Sequence, residues 1–132
     1  MEAEVFTLCD YAQDYNGKLT IVGTFDTIGS ANFPFMQPFC SIAVRLRFSD
    51  KEFGKHTCKM VFKDQNGAEF VPQINVPVEV KHSNALGYST VNLVVGLGNL
   101  KFDKPGKFII ELYIDEDWKA GLTLSALAIK RA

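Results

Sequence analysis

The chain has 132 residues, 14 of them basic and 15 acidic, for a formal net charge of −1. Hydrophobic residues make up 47% and charged residues 22%, a balance too apolar and too weakly charged for a wholly disordered chain. The length suits a single domain over 1–132 with one core. The charge lacks the basic excess with which a nucleic-acid binder displaces counterions, and favours self-association instead.

Met1-Glu2-Ala3-Glu4 has no basic run, and the apolar stretch Val5 to Cys9 is broken at once by Asp10, so no signal peptide is expected. No stretch reaches the roughly 18 apolar residues of a membrane span. The expectation is a soluble cytoplasmic protein with no membrane partner. Val5 to Tyr11 and Leu19 to Phe25 are rich in β-formers and flank Asn16-Gly17, a turn pair that tolerates positive φ, so they read as a hairpin.

Thr27 to Phe39 is the least regular stretch. Its segment Ala31 to Phe39 holds three phenylalanines, a methionine and two prolines. Such a run either covers an open end of the core or docks a partner, because aromatics and Met carry much interface energy. Phe33, Phe35, Met36 and Phe39 are therefore the partner-binding candidates.

Period-two alternation then dominates. Cys40, Ile42, Val44, Leu46 and Phe48 share one face of a strand, with Ser41, Arg45 and Arg47 opposite. His56, Cys58, Met60 and Phe62 repeat the pattern, with Thr57, Lys59 and Lys63 on the other face. Asn66-Gly67 marks a turn. Ile74 to Val80 alternates again, and Pro77, which cannot donate a ladder hydrogen bond, makes this an edge strand or a bulged one. Lys81 to Gly87 reads as a polar surface loop. Thr90 to Phe102, Lys107 to Ile114 and Gly121 to Lys130 complete eight expected strands, joined by Asp103-Lys104-Pro105-Gly106 and by the turn Asp115-Glu116-Asp117. Strands with one apolar face need a second layer, so the expected fold is all-β: a two-layer antiparallel β-sandwich, immunoglobulin-like or jelly-roll-like, with a closed barrel as the alternative.

Chemistry is sparse. Cys9, Cys40 and Cys58 are odd in number and widely spaced, as expected of small apolar residues inside strands. His56 and Cys58 share a strand face, but only Cys9, Cys40 and His82 could complete a zinc set, and their spacing does not favour it. Neither a nucleophile elbow nor a phosphate loop is present, and Gly96 and Gly98 suggest instead a bulge or the close approach of a bulky side chain from the facing layer. Asp10, a charge inside an apolar strand, would join His56 in an enzyme site only if the fold brought the two together. Arg45 and Arg47 would form a basic patch with Lys59 and Lys63 only if their strands pair. Trp118, with Asp115 and Asp117 beside it, is the ligand-binding candidate. No metal, cofactor or nucleic acid is expected and no catalytic residue is assigned.

The run Ala3 to Ala12, then Gly17 to Asp26 and Pro34, then Val44-Arg45-Leu46, Gly54-Lys55-His56 and Asp64-Gln65-Asn66-Gly67, resembles a family of small bacterial proteins of uncharacterised function. The resemblance covers most of the chain. It implies a bacterial β-sandwich and supplies no activity, substrate or site. The favoured reading is a non-catalytic protein-interaction or assembly module, with a protein partner or a homo-oligomer. The alternative is a sandwich that binds a small ligand or carbohydrate.

Overall fold

The structure, a computed structural model, describes residues 1–81 and 85–130. It contains β1 (Glu2–Tyr15), β2 (Lys18–Thr24), β3 (Thr27–Ser30), β4 (Phe35–Ser49), β5 (Gly54–Asp64), β6 (Glu69–Val80), β7 (Tyr88–Phe102), β8 (Gly106–Ile114) and β9 (Asp117–Ala128). These nine strands form a four-stranded sheet, β2-β1-β4-β7, and a five-stranded sheet, β3-β9-β8-β5-β6. The eight expected strands become nine because the irregular stretch Thr27 to Phe39 is largely strand: it supplies β3 and the first residues of β4. The Lys81 to Gly87 loop and His82 fall partly or wholly outside the described residues.

Alternation puts the core between the sheets. Ile42, Val44, Leu46 and Phe48 of β4 face Cys58, Met60 and Phe62 of β5, all fully buried. Burial of each large side chain contributes about 1.5–3 kcal/mol. Phe62, Phe70, Phe102 and Phe108 gather at one end, with the Phe102 and Phe108 rings 4.8 Å apart at 69°. Such edge-to-face contacts suit the ring quadrupole. The proline signal in β6 reads correctly, since β6 is an outer strand, with Pro77 opposite Thr57.

Two corners shape the four-stranded sheet. The first lies at Asp10 and Gly23, which fall between the pairs Cys9↔Thr24 and Tyr11↔Val22. Gly23 has φ +69°, which strains any other residue, and a Cβ there would lie 2.7 Å from Asp10 Oδ2, so the carboxylate would also have to move. Beyond this corner β1 no longer pairs with β4, whose last partner pair is Cys9↔Ser41. The hairpin lies across β4 instead, and Asn92 Nδ2 of β7 donates to Asp14 Oδ1 and to the Gly17 carbonyl at its tip. Leu19 and Ile21 then pack on Cys9, Ala12 and Ala43, a small second core outside the main one. This corrects the reading of β4: Ser41 has outward parity, yet it is buried beneath this hairpin.

The second corner lies at Pro38 opposite Asn99, whose φ is +55°. Inward parity switches there on both strands. Leu97 is buried on one side of the corner and Leu100 and Phe102 on the other. On β4 the inward set passes from Cys40 to Phe35.

The chain crosses from one sheet to the other after β2. Phe25 N donates to the Leu8 carbonyl and Ser125 N to the Asp26 carbonyl. The crossing delivers β3 alongside β9, the one parallel pair among the described strands.

Candidate functional site

Strand pairing joins His56 to Asp115, residues 59 apart in sequence. β5 carries His56 at its start, and the β8–β9 turn presents Asp115, which with Glu116 takes the positive φ of a tight hairpin. His56 Nδ1 lies 2.5 Å from Asp115 Oδ2, and Nε2 lies 2.5 Å from the Glu52 carbonyl. Both partners only accept, so the protonated ring, with a donor on each nitrogen, is the form this geometry stabilises. The Asp115 hydrogen bond raises the His56 pKa above its usual value. In return His56, then the Thr57 N–H, lowers that of Asp115. The His56 ring also stacks on Phe48 of the core, centroids 4.9 Å apart. A cleft of about 480 Å³ between Lys55, His56, Thr57, Pro77 and Glu79 adjoins it. With both nitrogens engaged, the histidine braces this corner between β5 and the β8–β9 turn.

Asp10 has a separate place. It is exposed on the four-stranded sheet and its carboxylate lies over Gly23. His56 is held by Asp115 and the Glu52 carbonyl, and Asp10 stands on the other sheet, so the two form no dyad. The cysteines are free and buried. Burial raises the Cys9 pKa and pushes the Cys40 and Cys58 thiols up to about 11, away from the thiolate that a nucleophile needs. The described residues include no cluster of three or more metal-ligating side chains.

The condition for a basic patch is not met, because β4 and β5 lie in different sheets. Arg45 and Arg47 both bind Glu4, at 3.1 and 2.8 Å. Lys59 binds Glu116 at 2.6 Å and Lys63 binds Glu111 at 2.8 Å.

Trp118 is half exposed on the outer face of the five-stranded sheet, opposite Tyr113 and with its ring edge over Gly121. Lys59 Nζ sits 4.8 Å from the Tyr113 ring centroid, extending this row across three strands. Asp117 is exposed beside Trp118, but Asp115 is turned to His56 and Thr57. Trp118, Asp115 and Asp117 stand outside the clefts beside Phe25, Phe70, Pro77, Pro105 and Tyr88.

The phenylalanine stretch divides. Phe33 and Phe35 pack against the core, and the Phe33–Pro34 peptide bond is cis. Met36 and Phe39 are 50% and 54% exposed on the four-stranded sheet. Phe39 lies over Gly96 of β7, its Cε2 3.2 Å from where a Cβ would stand. The bulky side chain expected near Gly96 therefore comes from the neighbouring strand on the outer face, and the facing layer is not involved. Val94, 37% exposed, stands beside it on β7.

Sequence reasoning missed the edge of β7. Among the described residues there are four outer strands. β6 carries Pro72, Pro77, Glu69 and Glu79; β3 has four residues; β2 has seven and ends at the Gly23 corner. β7 has 15 residues, no proline and one charge, Lys101, and among the described residues it pairs only with β4. The sequence signal was the lack of Pro and charge from Thr90 to Leu100.

These features define an all-β protein of two sheets. The chain belongs to a family of unknown function (DUF6941), whose sequence model matches residues 4–127. No curated protein matches it.

Proposed function

We propose that this chain is a non-catalytic protein-interaction module that takes up a strand along the edge of β7. The observation that carries this reading is the contrast among the four outer strands. Three are short, cornered or guarded by proline and acidic residues, the usual ways an edge is blunted, and the longest is bare. Strand addition supplies backbone hydrogen bonds along such an edge, and side-chain contacts beside it set the preference. Met36, Phe39 and Val94 offer those contacts on the outer face. The activity needs no cofactor, nucleic acid or membrane. Its setting in this proposal is the bacterial cytoplasm. The layout is proposed as a variant of the immunoglobulin-like or jelly-roll-like sandwich, supported by antiparallel pairing everywhere but β3–β9.

Amide hydrogen exchange by NMR tests it, with the chain diluted, concentrated, and mixed with a synthetic peptide of residues 88–98. The outward amides of β7 gain protection in at least one mixture, while those of β6 do not. Unchanged exchange along β7 in every mixture refutes the reading.

A second reading rests on Trp118. An exposed indole beside Tyr113 on a sheet face offers a stacking platform for the apolar face of a sugar. Trp118 is the sole tryptophan, so its fluorescence reports directly on oligosaccharide titrations. No change across a panel of hexose and pentose oligomers removes this alternative.

A further inference from the structure

Resting on the Trp118 reading and independent of strand addition, we infer that the cleft beside Phe25 binds a neutral oligosaccharide. One pyranose ring stacks on the Trp118 indole and the next is held in the cleft.

The cleft lies at the seam where β1 of one sheet approaches β9 of the other. Its volume is about 450 Å³, within the roughly 300–1,000 Å³ of small-molecule sites. Thr24, Phe25 and Asp26 wall it on one side, and Gly121, Leu122 and Thr123 on the other. Topology leaves it open. β2 ends at Thr24, and β3 pairs with β9 only from Ser125 onward. Among the described residues no strand pairs with β9 at Gly121 and Thr123 on the side away from β8.

The ladder fixes what points into this opening. Ser125 N–H is directed to the β3 side, where it donates to the Asp26 carbonyl. Along an antiparallel strand, alternate residues direct their backbone groups to the same side. The register with β8 is regular from Ala120 to Ala126, so the N–H and C=O of Thr123 and Gly121 also face away from β8, toward the cleft. Side chains add to them. The Thr24 and Thr123 hydroxyls make no hydrogen bond among the described residues. Asp26 Oδ1 accepts from Thr27 Oγ1 at 2.9 Å, which leaves Oδ2 open. The partly buried Phe25 gives the wall an apolar stretch.

These groups suit a sugar. Each hydroxyl of a pyranose both donates and accepts, and a carboxylate accepts from two at once. A wholly apolar ligand would leave the same groups unpaired. An extended peptide would find two residues of open ladder on β9 before the register shifts beyond Ala120.

Gly121 joins the cleft to the indole. It lines the cleft, and Trp118 Cζ2 lies 3.5 Å from where its Cβ would stand. It has no positive φ, so no turn explains a glycine inside this strand, and such glycines mark the close approach of a ligand. Its bare backbone makes one surface of the two parts: an exposed indole face for the flat side of one ring, then polar walls for the hydroxyls of the next. Charge sets the class of sugar. Among the described residues Asp26 is the one charge lining the cleft, and Asp117 is exposed beside Trp118, so an acidic sugar is repelled.

Calorimetry and Trp118 fluorescence of the full chain test the inference, with cellotriose, maltotriose and xylotriose as neutral probes and trigalacturonate as the acidic one. At least one neutral probe binds saturably and trigalacturonate does not. Asp26→Asn removes the charge that strengthens the sugar hydrogen bonds and weakens binding at least about tenfold. Gly121→Val sets a side chain between cleft and indole and weakens binding by a similar factor. Its thermal midpoint is unchanged or higher, because β-branched residues favour strands; circular dichroism confirms the fold of both variants. A fluorescence response with unchanged affinity in both variants leaves the Trp118 platform standing and refutes the cleft. Neither heat nor fluorescence change with any neutral probe removes both. Trigalacturonate binding as tightly as the neutral probes overturns the inference. So does protection of the Gly121 and Thr123 amides by a peptide of residues 88–98 but by no trisaccharide, which assigns the cleft to a strand.

Discussion

β6 and β7 border the same side of the sandwich, one in each sheet, and they solve the edge problem in opposite ways. β6 carries Pro72 and Pro77, which remove donors, and Glu69 and Glu79, which resist burial. Bulges against β5 near Met60 and Phe62 break its register further. β7 runs 15 residues in one register with β4, interrupted only at Pro38 and Asn99. Both edges rest on the same aromatic cluster, Phe70 from β6 and Phe102 from β7, with ring centroids 5.8 Å apart. An edge can therefore be well anchored and still be open. Anchoring depends on the inward face, and availability depends on donors and charges along the outer rim.

The largest way to break the comparison is to remove the shared anchor. Phe102→Ala leaves a cavity among Phe62, Phe70 and Phe108 and costs about 3–5 kcal/mol in chemical denaturation. Both edges should loosen together, seen as faster amide exchange in β6 and β7 alike. Loosening of one alone would mean the cluster does not couple them.

A smaller effect concerns the brace beside β6, where His56 pairs with Val78 in register and with Asp115 by charge. The folded His56 pKa is raised above 6.5, so its contribution is complete below about pH 6.5 and fades as pH rises through the raised value. Asp115 is lowered below 3.8, so its contribution is present above that value and fades as pH falls through the folded one. Stability from this pair is thus greatest between about pH 4 and 6.5. His56→Gln should flatten that plateau by about 1 kcal/mol, the half-exposed carboxylate keeping the figure small. A pH profile identical to the unmodified chain would show that the pair contributes nothing.

The smallest effect on stability sharpens the contrast most. Pro77→Thr restores one donor to β6 and should change stability by less than about 0.5 kcal/mol. It should also raise association at high concentration, measured by light scattering. No gain in association would assign the guarding of β6 to its acidic residues and bulges.

Much of this was legible in the chain. Alternation in Cys40 to Phe48 and His56 to Phe62 gave the core strands, and Asn16-Gly17 and Asn66-Gly67 marked real turns with positive φ at Asn16, Gly17 and Gly67. Pro77 marked an edge. What could not be read is what depends on a third strand. Ser41 looks solvated until the hairpin folds over it, and no local signal near Ser41 announces that hairpin's corner at Gly23. The flip of parity at Pro38 and Asn99 hides Phe35 as an inward residue, because strict alternation from Cys40 would turn it outward. The His56–Asp115 pair joins strands that are neighbours only in the finished sheet. The candidate surface was half legible: Met36 and Phe39 were found from composition, whereas the bare rim of β7 shows only once the sheet order is known.

The long ladder from β4 to β7 also has a consequence in time. Its closing pairs join Phe35 to Phe102 and Ser49 to Tyr88, with β5 and β6 formed between them in the chain. β4 leaves the ribosome well before its partner, as a strand apolar on one face, with Ser41, Ala43, Arg45 and Arg47 on the other. Such non-local closure is slow, on the order of milliseconds to seconds. The hairpin β1–β2, built from local contacts, precedes β4 in the chain and packs Leu19 and Ile21 against Ala43. Every part of the roof over Ser41 and Ala43 is thus synthesised before β7, the strand that completes the ladder.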